Sequence, residues 1–325
     1  LPQGSRDRVL DEDRRVSTAG LPPAALTGRA ITMVLPTPLV RARSLDAYLK
    51  IETGLPTGSF KVRGALHSLT ANLSRRPISE VIAASTGNHG AAVAWAARQL
   101  GVAATIFLPT HPNRVKADRI RALGARIVES GVDLSAAIDA AYAYAERTGA
   151  FFLHDASDPD VPAGTAQIGS EVVTQLPAVE RICVPMGDTA LIRGVATAAK
   201  RAKPSIHIVG VVAANAPAYL LSWEQDDVVE TSTAETIADG LAVRRPLPPN
   251  VSAIRTLVDE VVAVSEAQML DAIRHLRAHE GITAEPAGAA ATAAFLQTSV
   301  SEGSQAPTVL LVTGCNIAPE IESAL

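Results

Sequence analysis

One lysine of the sequence has neighbours that favour a nucleophilic amine. Lys61 follows Phe60 directly, and Gly58 and Gly64 lie on either side of it, in a segment too polar for a core strand and too short for a solvated helix. A lysine held against an aromatic ring and apolar residues would be desolvated, which favours the neutral amine that attacks carbonyl carbons. The competing interpretation is a surface lysine between two turns.

Two further segments join a predicted strand to a predicted helix. Residues 84–90 read Ala-Ser-Thr-Gly-Asn-His-Gly, and residues 184–191 read Val-Pro-Met-Gly-Asp-Thr-Ala-Leu. Backbone N–H groups at a helix N-terminus have no partner within the helix and therefore bind anions. The first segment adds hydroxyl and amide donors that suit a carboxylate, and the second suits a phosphate. Each signal alone is weak, because turns use the same residue types for their geometry.

The elements that must position these segments follow from the hydrophobic pattern. From about residue 80 onward, short apolar runs alternate with alanine-rich helical segments. This alternation predicts an α/β fold with two open, twisted, mainly parallel sheets and flanking helices. The predicted strands are 81–85, 102–108, 126–129, 151–154, 181–185, 206–212 and 309–312, and the predicted helices are 91–99, 112–123, 134–148, 190–202 and 265–281. Residues 215–251 are predicted to be the least regular segment.

Composition narrows the class of protein. The chain has 325 residues, is 47% hydrophobic and carries a net charge of −4. This apolar content excludes a disordered chain, and the charge gives no general attraction to nucleic acid. Cys183 and Cys315 cannot build a disulfide framework, which suits a reducing compartment. Because no apolar run approaches about 18 residues and the first residues are charged, we expect a soluble cytoplasmic protein without a membrane partner.

Taken together, the motifs resemble the pyridoxal-phosphate enzymes of the tryptophan-synthase-β fold group, known as fold type II. Within that group they are most similar to the serine/threonine dehydratase family, which includes serine racemase. The resemblance rests on Ser59–Ala65 and Ser85–Gly90, with support from Thr236–Val243, Glu285–Ala290 and Thr313–Asn316 in the family's order. It covers residues 37–316.

The resemblance implies a site for pyridoxal 5'-phosphate (PLP) in the cleft between a large domain, residues 1–79 and 156–325, and a small domain, residues 80–155. Lys61 would form the Schiff base, and Thr86 would be a second catalytic group. The cofactor-binding residues implied are Phe60 beside the ring, Asn88 at the ring 3'-oxygen, Thr313 at the pyridine nitrogen, Gly187, Asp188, Thr189, Ala190 and Leu191 around the phosphate, and Gly240 and Glu285. The substrate carboxylate would be bound by Ser85, Thr86, Gly87, Asn88 and His89.

The activity implied is β-elimination from a β-hydroxy amino acid such as L-threonine or L-serine, giving a 2-oxo acid and ammonia. The alternatives are a threonine-synthase-like or hydroxyectoine-degradation-type enzyme, an amino-acid racemase in which the Thr86 hydroxyl carries a proton, and a non-catalytic protein of the same fold. A homodimer is expected from the resemblance alone.

Some residues depart from the family pattern. The phosphate loop carries Asp188 where glycine is usual, and we expect its carboxylate to cap the helix beginning near Thr189. The loop before Glu171 reads Gly-Thr-Ala-Gln at residues 164–167. Val212 and Ala218 stand where racemase-like members carry acidic ligands, so no metal site is expected. The aspartates at positions 155, 158 and 160 are interpreted as a polar connector, and Cys183 and Cys315 as packing residues.

Overall fold

Ten strands form two sheets within residues 34–85, 87–112, 114–297 and 306–325, the part of the chain that the computed structural model describes. The strands are β1 (Leu39–Arg41), β2 (Tyr48–Ile51), β3 (Glu80–Ala84), β4 (Ala103–Leu108), β5 (Arg126–Glu129), β6 (Phe151–Phe152), β7 (Arg181–Pro185), β8 (His207–Ala213), β9 (Glu260–Val264) and β10 (Thr308–Val312). The larger sheet has the order β1-β2-β10-β7-β8-β9, and the smaller has the order β5-β4-β3-β6. Every pair is parallel except β1 with β2, so the predicted fold class is confirmed.

Helices cover the sheets, as strands buried on both faces require. They are α1 (Lys61–Arg75), α2 (Asn88–Leu100), α3 (Arg114–Ala122), α4 (Leu134–Thr148), α5 (Val161–Gln175), α6 (Ala190–Ala202), α7 (Ala218–Gln225), α8 (Pro248–Leu257), α9 (Glu266–His275), α10 (Pro286–Gln297) and α11 (Pro319–Glu322). A 3₁₀ turn at Asp239–Leu241 and a π turn at Leu276–Glu280 complete the set. No helix in these ranges is long and apolar enough to cross a membrane.

Helix α5 holds α1 and α6 at fixed positions because glycines let the backbones meet. A Cβ atom at Gly164 would lie 2.4 Å from the Arg63 carbonyl oxygen, and one at Gly169 would lie 2.3 Å from the Val195 carbonyl oxygen. A Cβ at Gly194 would lie 2.3 Å from the Pro162 carbonyl oxygen. The start of α1 and the start of α6 are therefore positioned by the same helix.

Most predicted elements match, with differences at the start of α3 and the end of β6. Leu134–Thr148 ends at Gly149 in the left-handed conformation (φ 74°), and Ser265 and Gln268 form the predicted capping box. The helix predicted from Pro112 begins at Arg114 instead. The strand predicted at 151–154 covers only 151–152.

Two further predictions were wrong. Lys61 is the first residue of a 15-residue helix, rather than lying in a segment too short for one. Residues 164–167 lie within α5, not in a loop. The segment 215–251, predicted to be the least regular, holds α7 and the start of α8, and between them only the 3₁₀ turn at Asp239–Leu241.

The smaller sheet draws its strands from residues 80–152 alone, and the larger sheet draws strands from both sides of that range. The described residues belong to one compact unit, Ile31–Leu325. Within it, we propose that residues 80–155 form a small domain and that residues 156–325 and the segment up to 79 form a large one. Residues 1–33 of this prediction lie outside the described residues.

Candidate active site

A cavity of about 490 Å³ opens at the carboxyl ends of β3, β6, β7 and β10. Parallel sheets bind ligands at this edge, because loops following several strands converge there. The residues predicted from the sequence that line it are Phe60, Lys61, Ser85, Gly87, Asn88, His89, Gly187, Asp188, Thr189, Ala190, Leu191, Gly240, Glu285 and Thr313. Thr86, predicted to be catalytic, lies outside the described residues. The fold thus brings together segments that are far apart in sequence.

Lys61 lies at the first position of α1 and points into this cavity. Its ammonium nitrogen is 5.1 Å from the centroid of the Phe60 ring and donates a hydrogen bond to Asp155 Oδ2. The Phe60 N–H donates to the Thr313 carbonyl oxygen at 3.0 Å, which ties the start of α1 to the end of β10. The lysine is therefore held at the wall of the cavity rather than at the surface.

Asp155 is a site residue that the sequence analysis missed. The interpretation as a polar connector is wrong for this residue, because its carboxylate lines the cavity and pairs with Lys61. Burial disfavours its charge, but the Lys61 ammonium, which also donates a hydrogen bond to it, outweighs that effect and lowers its pKa to about 2. An ionisable residue soon after a buried strand of a parallel sheet was the available signal, because that is where ligand sites form.

His89 is buried beside Asp155, near the start of α2. Its Nε2 lies 2.9 Å from the Leu153 carbonyl oxygen, and its Nδ1 lies 3.5 Å from Asp155 Oδ1. A carbonyl oxygen only accepts, so Nε2 carries the proton. Burial lowers the pKa of His89, which favours the neutral ring. His89 is thus oriented by the backbone, with its Nδ1 facing the carboxylate.

A chain of hydrogen bonds fixes the amide of Asn88. Its Nδ2 donates to Glu285 Oε1 at 2.6 Å, and its Oδ1 accepts from Asn316 Nδ2 at 2.5 Å. Arg119 donates to Asn316 Oδ1 through Nη1 and to the Thr57 carbonyl oxygen through Nη2, the latter at 2.6 Å. The sequence analysis did not find the role of Arg119, because a lone arginine within a helix carries no motif.

The loop before α6 forms a narrow cradle. A Cβ atom at Gly187 would lie 2.1 Å from the Gly240 carbonyl oxygen, so only glycine fits there. Thr189 adopts the left-handed conformation (φ 66°), and its buried Oγ1 has no hydrogen-bond partner. Such a conformation is unusual for a β-branched residue and an orphaned hydroxyl is costly, so both point to a bound anion at this helix start.

Asp188 lies in the same loop and does not cap α6. The predicted cap was wrong, because no side-chain hydrogen bond caps this helix and its N-cap residue is Thr189. Burial and the neighbouring charge of Asp155 raise the pKa of Asp188 to about 6. This carboxyl is therefore neutral in mildly acidic solution and charged above that range.

Cys183 is buried in β7, as expected of a packing residue, and burial raises the pKa of its thiol to about 12. Cys315 lines the cavity, with its Sγ 3.5 Å from the Gly58 carbonyl oxygen.

Among the described residues, no group of three or more histidines, cysteines, aspartates or glutamates could hold a metal ion. The expected lack of a metal requirement stays a prediction.

Comparison with known proteins gives the family. The sequence model of the family described as "pyridoxal-phosphate dependent enzyme" matches residues 31–314. The chain belongs to this family. It is 38% identical to L-threonine ammonia-lyase of Thermotoga maritima over 84% of this chain and 67% of that protein. It is 40% identical to L-threonine ammonia-lyase of Geobacter sulfurreducens over 84% of this chain and 68% of that protein. Among solved structures, the processed form of threonine deaminase isoform 2 from Solanum lycopersicum superposes with a TM-score of 0.84 at 31% identity, covering 89% of this chain and 82% of that one.

The cavity fits pyridoxal phosphate, the cofactor of the family. The orphaned Thr189 hydroxyl and the start of α6 would bind the phosphate, and the cradle at Gly187 leaves room for it. Lys61 supplies the amine that the cofactor's aldehyde needs. Asn88 and Thr313 line the same cavity and would be the partners of the cofactor ring.

Proposed function

We propose that this chain is a PLP-dependent ammonia-lyase that eliminates water from a β-hydroxy amino acid such as L-threonine or L-serine. The products are a 2-oxo acid and ammonia: the enamine formed first tautomerises to an imine, and water hydrolyses this imine. The observation that carries the proposal is the convergence of Lys61, the α2 start and the α6 start on one cavity, in a chain 38–40% identical to threonine ammonia-lyases.

PLP, when bound, supplies an electron sink for the electron pair left at Cα. Lys61 is the base in this scheme, and its Nζ takes the α-proton. The start of α2 binds the substrate carboxylate through free backbone N–H groups and the helix dipole, with Ser85 and Gly87 beside it. The Thr189 hydroxyl and the start of α6 hold the phosphate, which fixes the cofactor against Lys61. Thr86 keeps its proposed role in substrate binding.

The substrate class is tested with a panel of hydroxy amino acids. Steady-state formation of 2-oxo acid from L-threonine, L-serine and 3-hydroxyaspartate is expected for at least one substrate. The visible absorbance of the purified protein, before and after threonine is added, is the accompanying measurement. A protein that binds PLP but forms no 2-oxo acid from any member of the panel would contradict the proposal.

Chiral analysis separates elimination from racemisation. We propose that elimination dominates, because β-branching restricts the χ1 rotamers of a threonine and we assign the Thr86 hydroxyl to the substrate carboxylate rather than to proton transfer. After partial turnover the residual substrate is expected to remain the L-isomer. D-isomer that accumulates in the parent and not in Thr86→Ala would favour a racemase instead.

We further propose a cytoplasmic homodimer. The homodimer follows from the family resemblance, and the compartment follows from the two cysteines, which are both free thiols. Light scattering after size-exclusion chromatography tests the oligomeric state, and cell fractionation tests the compartment.

A further inference from the structure

Asp155 is placed to act on the reactive lysine. It lies three residues after β6, and its side chain is 17% exposed at the cavity wall. Oδ2 accepts the hydrogen bond from Lys61 Nζ, and Oδ1 faces His89 Nδ1 at 3.5 Å. The side chain of Lys61, when not bonded to any cofactor, therefore rests on this carboxylate.

The charges around Asp155 leave Lys61 as its effective partner. Five titratable or charged groups from neighbouring elements act on Asp155. They are Lys61 on α1, His89 on α2, His154 in the loop after β6, Asp188 in the loop before α6 and Arg193 on α6. Burial favours the neutral form of both histidines, and Asp188 repels the Asp155 charge. Arg193 donates to the Ala156 carbonyl oxygen at 3.4 Å, rather than to Asp155.

We propose that Asp155 is a positioning residue for the elimination, holding Lys61 Nζ in place and stabilising the ammonium that forms when this nitrogen takes the α-proton. The effect of Asp155 on catalysis depends on the proposed function. The contact between Asp155 and Lys61 does not, because it exists in the chain without substrate or cofactor.

The proton balance of the step gives Asp155 its role. The Cα–H bond breaks and a new N–H bond forms at Lys61 Nζ, which converts the amine into an ammonium. Asp155 Oδ2 accepts a hydrogen bond from that ammonium and lowers the cost of creating a charge in a partly buried site. The proton then passes from Nζ to the departing hydroxyl, the Cβ–O bond breaks, and water forms. No oxidant, reductant or further reactant is required.

The first test measures how fast the cofactor-free full chain takes up PLP at different pH values. Only the neutral amine attacks the aldehyde, and a carboxylate within hydrogen-bond distance favours the ammonium. Asp155→Asn is therefore expected to take up PLP about tenfold faster than the parent at neutral pH. Asp160→Asn is the matched control, because Asp160 lies in the same loop but pairs with Arg75, and its profile is expected to follow the parent.

The second test measures turnover. Asp155→Asn is expected to lower kcat by about tenfold or more with little change in KM, and Asp155→Glu is expected to restore part of the loss. With α-deuterated substrate, the isotope effect on kcat is expected to rise in Asp155→Asn, because proton transfer becomes slower.

The outcomes separate the two proposals. If the parent forms no 2-oxo acid but Asp155→Asn takes up PLP faster than the parent, the proposed function fails and the lysine–carboxylate contact stands. If the uptake profiles of parent, Asp155→Asn and Asp160→Asn superpose, the proposal for Asp155 is overturned. Should Asp155→Asn fail to fold by circular dichroism, Asp155→Ser is measured in its place, and the same two outcomes apply.

Discussion

At the scale of single residues, the site combines a motif that the sequence carries with charges that it does not reveal. Lys61 was predicted from its segment, and Asn88 and Thr313 from the family resemblance. The structure places all three at one cavity. Two carboxylates share that cavity with opposite pKa shifts, since Asp155 pairs with an ammonium whereas Asp188 is buried without one. Two carboxyl groups whose pKa values differ in this way have different protonation states at a pH between the two values.

Lys61 is the residue whose loss is expected to abolish turnover. Neither alanine nor arginine can replace its amine, because a guanidinium stays protonated and does not attack an aldehyde. In the parent, borohydride reduction in the presence of PLP followed by peptide mapping is expected to label Lys61. A label on a different lysine would remove it from its assigned role.

Asp188 is expected to make phosphate binding depend on pH. Its pKa of about 6 leaves the carboxyl neutral and able to donate a hydrogen bond below that pH, and charged and repulsive toward phosphate above it. In Asp188→Asn the affinity for pyridoxine 5'-phosphate, which has no aldehyde to react with Lys61, is expected to exceed that of the parent by about tenfold in alkaline solution. Below pH 6 the two affinities are expected to converge, as measured by calorimetry.

The comparison with Asp188→Asn cancels the titration of the phosphate itself, because both proteins bind the same ligand. Asp160→Asn serves as the control for a lost carboxylate outside the cavity, and its affinity is expected to match that of the parent. If Asp188→Asn instead binds pyridoxine 5'-phosphate more weakly than the parent in alkaline solution, the Asp188 carboxylate favours binding of this ligand and the prediction is wrong.

At the scale of elements, the hydrophobic period predicted the central strands and the helices with glycine stops. Strand β5 and helix α4 have the bounds that the sequence predicted. The strand ends at the charged residue Glu129, and the helix is followed by Gly149. The helix that begins at Lys61 was missed because its first turn is polar and is held by tertiary contacts with α5. The pairing of Lys61 with Asp155 could not be predicted either, since it depends on which loops meet at the edge of the sheet.

A substitution at Gly187 would show how tightly the loop before α6 is positioned. Gly187→Ala would place a methyl group 2.1 Å from the Gly240 carbonyl oxygen, so one of the two backbones must move. We expect the unfolding free energy to fall by about 1–3 kcal/mol and PLP affinity to fall by about tenfold or more. Gly54→Ala is the matched control, because no atom lies within 4 Å of its added Cβ. Equal affinities in the two variants would show that the loop relaxes freely.

At the scale of the whole molecule, a buried ionic network joins the larger sheet to the helix that carries Lys61. Arg63 Nε lies 2.7 Å from Glu52 Oε2, and Arg63 Nη1 lies 2.6 Å from Glu171 Oε1 on α5. Lys50 on β2 donates to Glu171 Oε2 at 2.5 Å, and Thr37 donates to Glu52 Oε1 at 2.5 Å. Two cations and two anions thus balance inside the protein, and they fix α1 against β2 and α5.

Breaking this network is expected to destabilise the protein strongly. Arg63→Met leaves the fully buried Glu52 without its cation, at a cost of about 3–5 kcal/mol in the free energy of unfolding measured with urea. Arg41→Met, which removes an exposed ion pair with Asp46, is the matched control and is expected to change stability by about 1 kcal/mol or less.

The pH dependence of the network has a definite sign. Burial acts against the charge of Glu171, but hydrogen bonds from Arg63 and Lys50 outweigh it and lower the pKa below its ordinary value of 4.5. The stabilisation is therefore present above pH 4.5 and is lost as the pH falls through the lower value of the folded protein. We expect the difference in unfolding free energy between the parent and Arg63→Met to shrink in acid, whereas the difference for Arg41→Met stays small throughout. A difference that stays constant as the carboxylates are protonated would mean that Arg63 stabilises the fold by packing alone.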